Sequence, residues 1–249
     1  MKAIIFAAGL GTRLKDITYD KPKALVKVNG IPLLEIAIRK LKYFGFKDII
    51  VNVHHHSQQI EAFIKNLKYD DLRITVSDES HKLLGTGGGI KKVAGFFSGE
   101  EAFLAYNVDV ITDIDPGKLY RKHIISGALA TLAVRKRNTS RYLLVDNQNI
   151  LCGWCNVKTG ERIISRKKSE ELTSLAFSGI HIISTQLPGL ITEDGYCNII
   201  DVYLRLASDY DILTVEHESG YWFDVGKPEQ VKEVSKFLKK NMDALPPEL

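Results

Sequence analysis

An apolar segment that runs directly into a glycine-rich turn opens this chain, and it constrains the fold more than any other feature. The segment Ala3 to Ala7 is predicted to be a buried β-strand, and the turn Ala8-Gly9-Leu10-Gly11-Thr12-Arg13 follows it at once. Glycines in such a turn let backbone N–H groups approach a ligand closely. Arg13 and the nearby Lys23 add fixed positive charge. The combination predicts a site that holds the phosphates of a nucleoside triphosphate.

Two commoner phosphate-binding turns fit this sequence less well. A dinucleotide-binding turn has the pattern G-x-G-x-x-G and an acidic residue at the end of the second strand. This chain has Leu14 at the third glycine position, and its second predicted strand runs into His54-His55-His56. A Walker A loop requires G-K-[ST], a tripeptide that the sequence lacks. An ordinary strand-to-helix turn would account for the glycines but not for Arg13 and Lys23.

Strands and helices alternate through the first half of the chain. Their spacing predicts strands over 3–7, 48–53, 72–77 and 103–107, and helices over 33–44, 57–67 and 88–96. Ser57 is the predicted N-cap of the second helix. This alternation predicts an α/β fold with a doubly wound, mainly parallel, Rossmann-like sheet. Ligands of such sheets bind at the carboxyl ends of the strands, where the glycine turn and Asp109 lie.

The second half of the chain is less regular. Predicted strands cover 128–134, 142–145, 175–183 and 212–216, and predicted helices cover 199–207 and 227–241. The segment 159–171 is polar and is expected to be an exposed or mobile excursion. Because no linker or repeat divides the chain, we expect a single domain, with a nucleotide-binding half over 1–115, a sugar-binding half over 116–242 and a tail over 243–249.

Composition excludes several classes of protein. A chain of 249 residues with 45% hydrophobic and 26% charged residues is typical of a soluble globular protein. The net charge of +4 is dispersed, so we expect no nucleic-acid partner. The sequence contains no segment of about 18 apolar residues and opens directly into its first strand. We therefore expect no membrane partner and a cytoplasmic protein.

The cysteines and the histidine run do not predict a metal or redox site. Cys152 and Cys155 form a C-x-x-C pair, but a zinc site usually needs a second pair and a redox motif needs a thioredoxin-like context. We expect these cysteines and Cys197 to be free thiols. His54-His55-His56 cannot easily converge on one ion, because adjacent residues of a strand point to opposite faces.

Five segments in order resemble the motifs of the sugar-1-phosphate nucleotidyltransferases. The N-terminal G-x-G-T-R followed by K-P-K is similar to the first motif of that family. The others are Leu84-Gly85-Thr86-Gly87-Gly88-Gly89, Asn107-Val108-Asp109, Phe177-Ser178-Gly179-Ile180 and Trp222-Phe223-Asp224-Val225-Gly226. Two positions depart from the family pattern: Val108 stands where glycine is frequent, and Lys227 stands where threonine ends D-x-G-T. The resemblance implies a GT-A-like nucleotidyltransferase fold.

The resemblance also implies a reaction in which the phosphate of a sugar 1-phosphate attacks the α-phosphorus of an NTP and pyrophosphate leaves. Positioning and electrostatics supply most of the catalysis in such a reaction. Arg13 is the candidate for the leaving β- and γ-phosphates, and Lys23 is the candidate for the α-phosphate and the sugar phosphate. Asp109 and Asp224 are the implied ligands of a Mg²⁺ cofactor, a cation that takes oxygen ligands.

Further residues are implied to contact the substrates. The nucleotide candidates are Ala8, Gly9, Gly11, Thr12, Arg13, Gln59, Leu84, Gly85, Gly87 and Gly88. The sugar candidates are Asn107, Gly179, Asn198 and Asp201. Many members of the family carry a Glu-Lys-Pro before the sugar strand, and this chain lacks it. The uridylyltransferases of the family also resemble this chain in lacking it, and Arg166, Lys167 and Lys168 are the candidates to replace its lysine.

The motifs leave the substrates and the oligomeric state open. The T-G-G-G, F-S-G-I and D-V-G segments resemble those of the family members that use UTP with N-acetylmuramate 1-phosphate, and this resemblance implies the same substrates. The carboxylate of that sugar needs a positive partner, for which the candidates are Arg141, Arg166, Lys167 and Lys168. The nearest alternative is a mannose- or heptose-1-phosphate guanylyltransferase that uses GTP. Two alternatives belong to other classes of protein. A catalytically silent nucleotide-sugar-binding regulatory module is disfavoured by the presence of Arg13, Lys23, Asp109 and Asp224. A Rossmann oxidoreductase is disfavoured by Leu14.

Overall fold

The computed structural model describes residues 1–166, 171–217, 220–241 and 245, without the side chains of residues 15 and 16. The strands are β1 Lys2–Phe6, β2 Lys27–Val28, β3 Ile31–Pro32, β4 Asp48–Val53, β5 Arg73–Asp78, β6 Ala102–Asn107, β7 Val110–Thr112, β8 Ala130–Arg135, β9 Arg141–Val145, β10 Leu151–Asn156, β11 Glu161–Ile164, β12 Thr173–Ser184, β13 Ile212–Glu216 and β14 Trp222–Asp224. The α-helices are α1 Leu33–Tyr43, α2 Ser57–Asn66, α3 Gly85–Lys92, α4 Pro116–Ser126, α5 Ile199–Leu206 and α6 Pro228–Lys240. Short 3-10 helices cover Thr12–Thr18, Lys23–Leu25, Ala94–Phe97 and Leu187–Leu190.

Contacts group the chain into two compact units. The first comprises residues 1–83, 105–115 and 220–249, and the second comprises 84–104 and 116–219. In the first unit, β1 pairs in parallel with β4, and β4 pairs in parallel with β5. The predicted α/β class with a mainly parallel central sheet is confirmed. The predicted division at 115 and 242 stays a prediction.

The inner strands of the parallel sheet of the first unit, β1 and β4, are buried on both faces, whereas β5 alternates exposed and more buried residues. Ala3, Ile4 and Ile5 of β1 are fully buried, as expected for a strand covered on both sides. Helix α1 buries Leu34, Ile38 and Leu41, whose spacing places them on one face of the helix. Gly45 ends this helix with a φ of +84°, a backbone conformation that glycine adopts without steric cost.

The second unit is built mainly from antiparallel strands. The long strand β12 pairs with β8 and with β9, and β10 lies between β9 and β11. The one parallel pairing described for this unit joins β13 to β8. The register of β12 against β8 shifts between Phe177 and His181. Gly179 lies at this irregularity with a φ of +77°.

Two local predictions are wrong, and both concern helix N-termini. The N-cap of α2 is His56, not Ser57, and His56 adopts a left-handed conformation without a side-chain cap. The glycine segment predicted as a loop before a helix over 88–96 instead begins helix α3 at Gly85. Glycine is a weak helix former, so no local pattern indicated a helix there.

The remaining comparisons concern the polar segment and the cysteines. Within 159–171, strand β11 pairs with β10 and is exposed, as predicted, and residues 167–170 lie outside the described part. Cys152, Cys155 and Cys197 are free thiols, which confirms that prediction. No helix in the described ranges is long and apolar enough to cross a membrane.

Candidate active site

The glycine-rich turn after β1 folds closely against Lys23. Gly11 has a φ of +66°, and a Cβ atom there would lie 3.1 Å from Thr18 Cγ2 and 3.2 Å from Lys23 Cβ. The hydroxyl of Thr18 donates to the carbonyl of Gly11 at 3.0 Å, and the Leu14 N–H donates to the same carbonyl at 2.8 Å. Gly11 is therefore required both by its backbone conformation and by the close approach of Lys23.

Lys23 and Asp109 form an ion pair within the first unit. The ammonium of Lys23 donates to Asp109 Oδ2, and both side chains are largely shielded from solvent. Asp109 lies between β6 and β7, at the carboxyl end of a buried strand. Because a buried charge needs a partner, each of these two groups stabilises the other in the absence of substrate.

Strands β7 and β14 bring Asp224 to Asp109. The two strands pair with Asp224 opposite Val110, and the Val225 N–H donates to the Asp109 carbonyl at 2.9 Å. Burial raises the pKa of Asp224, and the negative charge of Asp109 raises it further, against the opposing effect of Lys23 and Arg13. Asp224 Oδ1 is buried and has no hydrogen-bond partner among the described residues.

The guanidinium of Arg13 packs against Gly226. A Cβ atom at Gly226 would lie 2.9 Å from Arg13 Nη2, 3.1 Å from Arg13 Cζ and 3.1 Å from Asp224 Oδ1. The Gly226 N–H donates to Gln230 Oε1 at 3.0 Å, which ties this segment to helix α6. The structure thus brings Arg13, Lys23, Asp109 and Asp224 together, as the sequence predicts.

Two carboxylates beside two cations suit a polyanionic ligand and a hard cation. Among the described residues, no group of three or more histidine, cysteine or acidic side chains could hold a metal by itself. The donor set instead fits Mg²⁺, which is commonly bound by one or two carboxylates together with substrate phosphates and water. The partnerless Oδ1 of Asp224 and its raised pKa are the features that such a cation would relieve.

Gln59 lies elsewhere in the first unit, near the start of α2. Its amide donates to the Asp20 carbonyl at 2.9 Å. It also lines a polar cavity of about 590 Å³. The other lining residues are His54, His55, His56, Ser57, Gln58, Glu61, Asp78 and Ser80. A contact between Gln59 and the base stays a prediction.

The glycines of the second glycine segment pack against the chain before α5. A Cβ atom would lie 2.6 Å from the Cys197 carbonyl at Gly85, 2.8 Å from Cys197 Sγ at Gly87, and 2.5 Å from the Gly195 carbonyl at Gly88. The Gly87 N–H donates to the Cys197 carbonyl at 2.9 Å. Close packing inside the second unit is therefore enough to explain why these positions are glycine. Contacts between the base and Leu84, Gly85, Gly87 and Gly88 stay a prediction.

Asn198 and Asp201 lie at the start of α5, close to the same segment. Asn198 Nδ2 donates to Asp201 Oδ2 at 3.3 Å, and the Ile199 N–H donates to Thr86 Oγ1 at 2.9 Å. Both side chains are exposed polar groups, as a sugar would require. Asn107 ends strand β6 in the first unit. Sugar contacts by these residues and by Gly179 stay predictions.

Arg166, a candidate to replace the missing lysine, forms an ion pair with Asp211. Arg141, the candidate partner for the muramate carboxylate, is exposed at the start of β9. Lys167 and Lys168 lie outside the described residues. None of these observations assigns a replacement.

Sequence reasoning missed a histidine beside the proposed sugar strand. His217 Nε2 lies 2.7 Å from Ser178 Oγ. Burial, and secondarily the charge of Arg135, lowers the pKa of His217 to about 4, so its imidazole is neutral at pH 7. Gly226 was also missed as a functional residue, although the D-V-G motif contained it.

The chain is similar to known nucleotidyltransferases. A family model described as "Nucleotidyl transferase" matches residues 2–241. N-acetylmuramate alpha-1-phosphate uridylyltransferase of Caulobacter vibrioides is 29% identical over 235 residues, which cover 91% of this chain and 92% of that protein. D-glycero-alpha-D-manno-heptose 1-phosphate guanylyltransferase of Campylobacter jejuni is 36% identical over 154 residues, or 61% of this chain and 66% of that protein.

A longer relative and a solved structure extend the comparison. A bifunctional sugar-1-phosphate nucleotidylyltransferase/acetyltransferase of Sulfurisphaera tokodaii is 32% identical over 249 residues, which cover 97% of this chain and 56% of that protein. The crystal structure of a putative glucose-1-phosphate thymidylyltransferase from Bacillus anthracis superimposes with a TM-score of 0.76 at 19% identity. That superposition covers 95% of this chain and 94% of the other.

Proposed function

The chain belongs to the nucleotidyl transferase family and is a sugar-1-phosphate nucleotidyltransferase, and from this premise we propose that its substrates are UTP and N-acetylmuramate 1-phosphate. The observation that carries this choice is the match to the Caulobacter vibrioides uridylyltransferase over nearly the full length of both chains. The T-G-G-G and F-S-G-I segments support it from the sequence.

In the proposed reaction, an oxygen of the sugar 1-phosphate forms a bond to the α-phosphorus of the NTP. The bond from that phosphorus to the oxygen bridging the β-phosphate breaks, and pyrophosphate leaves. Lys23 would hold the α-phosphate and the attacking phosphate close together, offsetting the repulsion between two anions. Arg13 would bind the leaving pyrophosphate, whose oxygens suit a planar guanidinium.

Asp109 and Asp224 would hold Mg²⁺. When bound, the cation neutralises charge on the phosphates. The ion pair between Lys23 and Asp109 implies that the ammonium moves from the carboxylate toward the phosphates as these ligands arrive. Lys23 is therefore retained close to the reaction site by Asp109 before the substrates bind.

The remaining contacts are proposed from the sequence motifs. The backbone of Ala8, Gly9, Gly11 and Thr12 would face the triphosphate, and Gln59 with the segment Leu84 to Gly88 would face the base. Asn107, Gly179, Asn198 and Asp201 would face the sugar. Exposed oxygens and amides at Asn198 and Asp201 are the type of group that binds sugar hydroxyls.

A guanylyltransferase acting on mannose or heptose 1-phosphate is the second candidate. It is favoured by the 36% identity to the Campylobacter jejuni heptose enzyme, although that match is shorter. Uracil and guanine differ in size, and the chain's glycine segment supplies few side chains for discrimination.

Pyrophosphate release from a panel of NTPs and sugar 1-phosphates tests the proposal. We expect the highest kcat/KM with UTP and N-acetylmuramate 1-phosphate, and no release without the sugar phosphate. Higher kcat/KM with GTP and mannose or heptose 1-phosphate would replace the proposed substrates. No turnover with any pair would favour a silent nucleotide-sugar-binding module.

A further inference from the structure

A buried polar pair lies behind the glycine-rich turn in the first unit. Asn52 of β4 and Glu79, which follows β5, are each only 2% exposed. Asn52 Nδ2 donates to Glu79 Oε1 at 3.1 Å, and Asn52 Oδ1 accepts the Ala7 N–H at 2.9 Å, which the backbone carbonyl of Asn52 also accepts at 3.2 Å. Ala7 immediately precedes the turn that we propose for the triphosphate. A carboxyl group is costly to bury, so its position here calls for a reason.

The Glu79 side chain and the Ala7 N–H select the same orientation of the Asn52 amide. Glu79 Oε1 accepts a hydrogen bond from Asn52, so the NH₂ group of Asn52 lies on its side. The amide oxygen must then face Ala7, whose N–H can only donate. Without an acceptor at position 79, the buried NH₂ group of Asn52 would lose its hydrogen bond to Glu79 Oε1, and the amide would be held less firmly against the Ala7 N–H.

The backbone of Glu79 is held in place by several other bonds. Its N–H donates to the Val53 carbonyl at 2.7 Å, and its carbonyl accepts the Lys82 N–H at 3.0 Å. His54 Nδ1 lies 2.6 Å from the same carbonyl, so that nitrogen carries the hydrogen. Glu79 is therefore a fixed point to which the ends of β1 and β4 are both tied.

We propose that Glu79 is a positioning residue for the nucleotide, acting through Asn52 on the peptide group of Ala7. This inference rests on the proposed function. The Ala7 peptide sets the direction in which the chain enters the turn Ala8 to Thr12, and hence where the N–H groups of that turn point. Glu79 is too buried to touch a substrate itself, which separates this role from catalysis.

Four variants test this role of Glu79. They differ in whether the side chains at positions 52 and 79 can donate or accept a hydrogen bond. Glu79→Leu removes the acceptor, and we expect the KM for the NTP to rise about tenfold while kcat changes less than about twofold. Glu79→Gln keeps an acceptor oxygen, so its KM is expected within about threefold of wild type. Asn52→Asp places two carboxylates face to face and removes the donor, so nucleotide affinity is expected to fall at least about tenfold.

The double variant Asn52→Asp/Glu79→Gln exchanges donor and acceptor between the two positions. The amide introduced at position 79 would then donate to the carboxylate at position 52, whose other oxygen would accept the Ala7 N–H. We expect nucleotide affinity to return to within about threefold of wild type. Binding of UTP or GTP, whichever the wild type turns over, is measured by calorimetric titration beside the kinetics.

Glu233→Leu is the matched control, because Glu233 is an exposed carboxylate on helix α6 of the same unit and lies outside the cavity that Gln59 lines. Thermal unfolding of every variant identifies any that fail to fold. If Glu79→Leu fails to fold, the double variant Asn52→Asp/Glu79→Gln tests the inference instead. The inference is overturned if folded Glu79→Leu binds the nucleotide as wild type does, or if the exchange does not restore affinity. An inactive wild-type protein would instead refute the proposed function.

Discussion

At the scale of single residues, the guanidinium of Arg13 occupies the space that a side chain at position 226 would need. A Cβ atom there would lie 2.9 Å from Arg13 Nη2, closer than such contacts occur in proteins. Gly226 therefore leaves room for the guanidinium of Arg13 beside Asp224. The glycine of the D-V-G motif thus lies in contact with the arginine of the first motif.

We predict that Gly226→Ala lowers kcat in the same direction as Arg13→Ala but by less. Removing one preorganised charge from a developing anion costs about a hundred- to a thousandfold in kcat, and shifting the flexible end of the Arg13 side chain is expected to cost only part of that. The double variant is expected to be no slower than Arg13→Ala alone. Steady-state kinetics with Gly95→Ala as control, a glycine with no atom within 4 Å of the added Cβ, checks this. Additive losses in the double variant would show that Gly226 acts independently of Arg13.

At the scale of elements, helix α1 supports the strand pair that carries the two aspartates. Lys40 of α1 is buried and donates to the Thr112 carbonyl of β7 at 2.7 Å. Burial lowers the pKa of Lys40 to about 8, although the carboxylates of Asp113 and Asp115 oppose this shift. The hydrogen bond survives deprotonation, because a neutral amine still donates.

The lowered pKa of Lys40 predicts a stability that rises with pH. Between about pH 8 and the usual lysine pKa of 10.5, the unfolded chain binds more protons at this site than the folded chain. The free energy of unfolding therefore increases with pH across that window. Below pH 8 both states are protonated, and the cost of burying the charge is present in full.

We predict that Lys40→Met removes this dependence. Between pH 8 and pH 10 the wild type is expected to gain on the order of 2 kcal/mol of unfolding free energy relative to the variant. Urea unfolding at both pH values measures it, and Lys42→Met, which removes a lysine from the same helix, is the control. Parallel pH profiles for wild type and Lys40→Met would contradict the assignment.

Helix α3 offers a second prediction at this scale, because its glycines contact the chain before α5. A Cβ atom at Gly88 would lie 2.5 Å from the Gly195 carbonyl. Gly88→Ala is therefore expected to destabilise the protein by about 1–3 kcal/mol, despite the better helix propensity of alanine. Gly189→Ala, where nothing lies within 4 Å, is the control in urea unfolding. If Gly88→Ala is as stable as wild type, the backbone at residue 195 moves away without a loss of unfolding free energy, and the prediction is wrong.

At the scale of the whole molecule, the sequence was most informative where local patterns decide structure. The bounds of β4 and β13 were predicted to the residue, because an apolar run between polar ends defines each of them. Strands β7 and β14 have three residues each and form only through their mutual pairing, so no local pattern reveals them. The left-handed His56 at the start of α2 likewise depends on tertiary context.

In the candidate site, too, the sequence predicted what local motifs specify and missed what depends on distant parts of the chain. Motifs predicted that Arg13, Lys23, Asp109 and Asp224 act together, and the structure brings them together. The pairing of Lys23 with Asp109 and the packing of Arg13 on Gly226 join distant parts of the chain, which no local pattern specifies. The burial of Asn52 and Glu79 was not predicted, because asparagine and glutamate are usually surface residues and nothing in the local sequence marks these two as buried.

The central claim is that these four charged residues carry out nucleotidyl transfer, and Mg²⁺-dependent pyrophosphate release tests it most directly. Wild type, Asp109→Ala and Asp224→Ala are compared with UTP and N-acetylmuramate 1-phosphate, or with the pair that the substrate panel selects. Each variant is expected to lose at least about a hundredfold in kcat while its thermal unfolding stays cooperative. Near-normal turnover by either folded variant at saturating Mg²⁺ would contradict the claim.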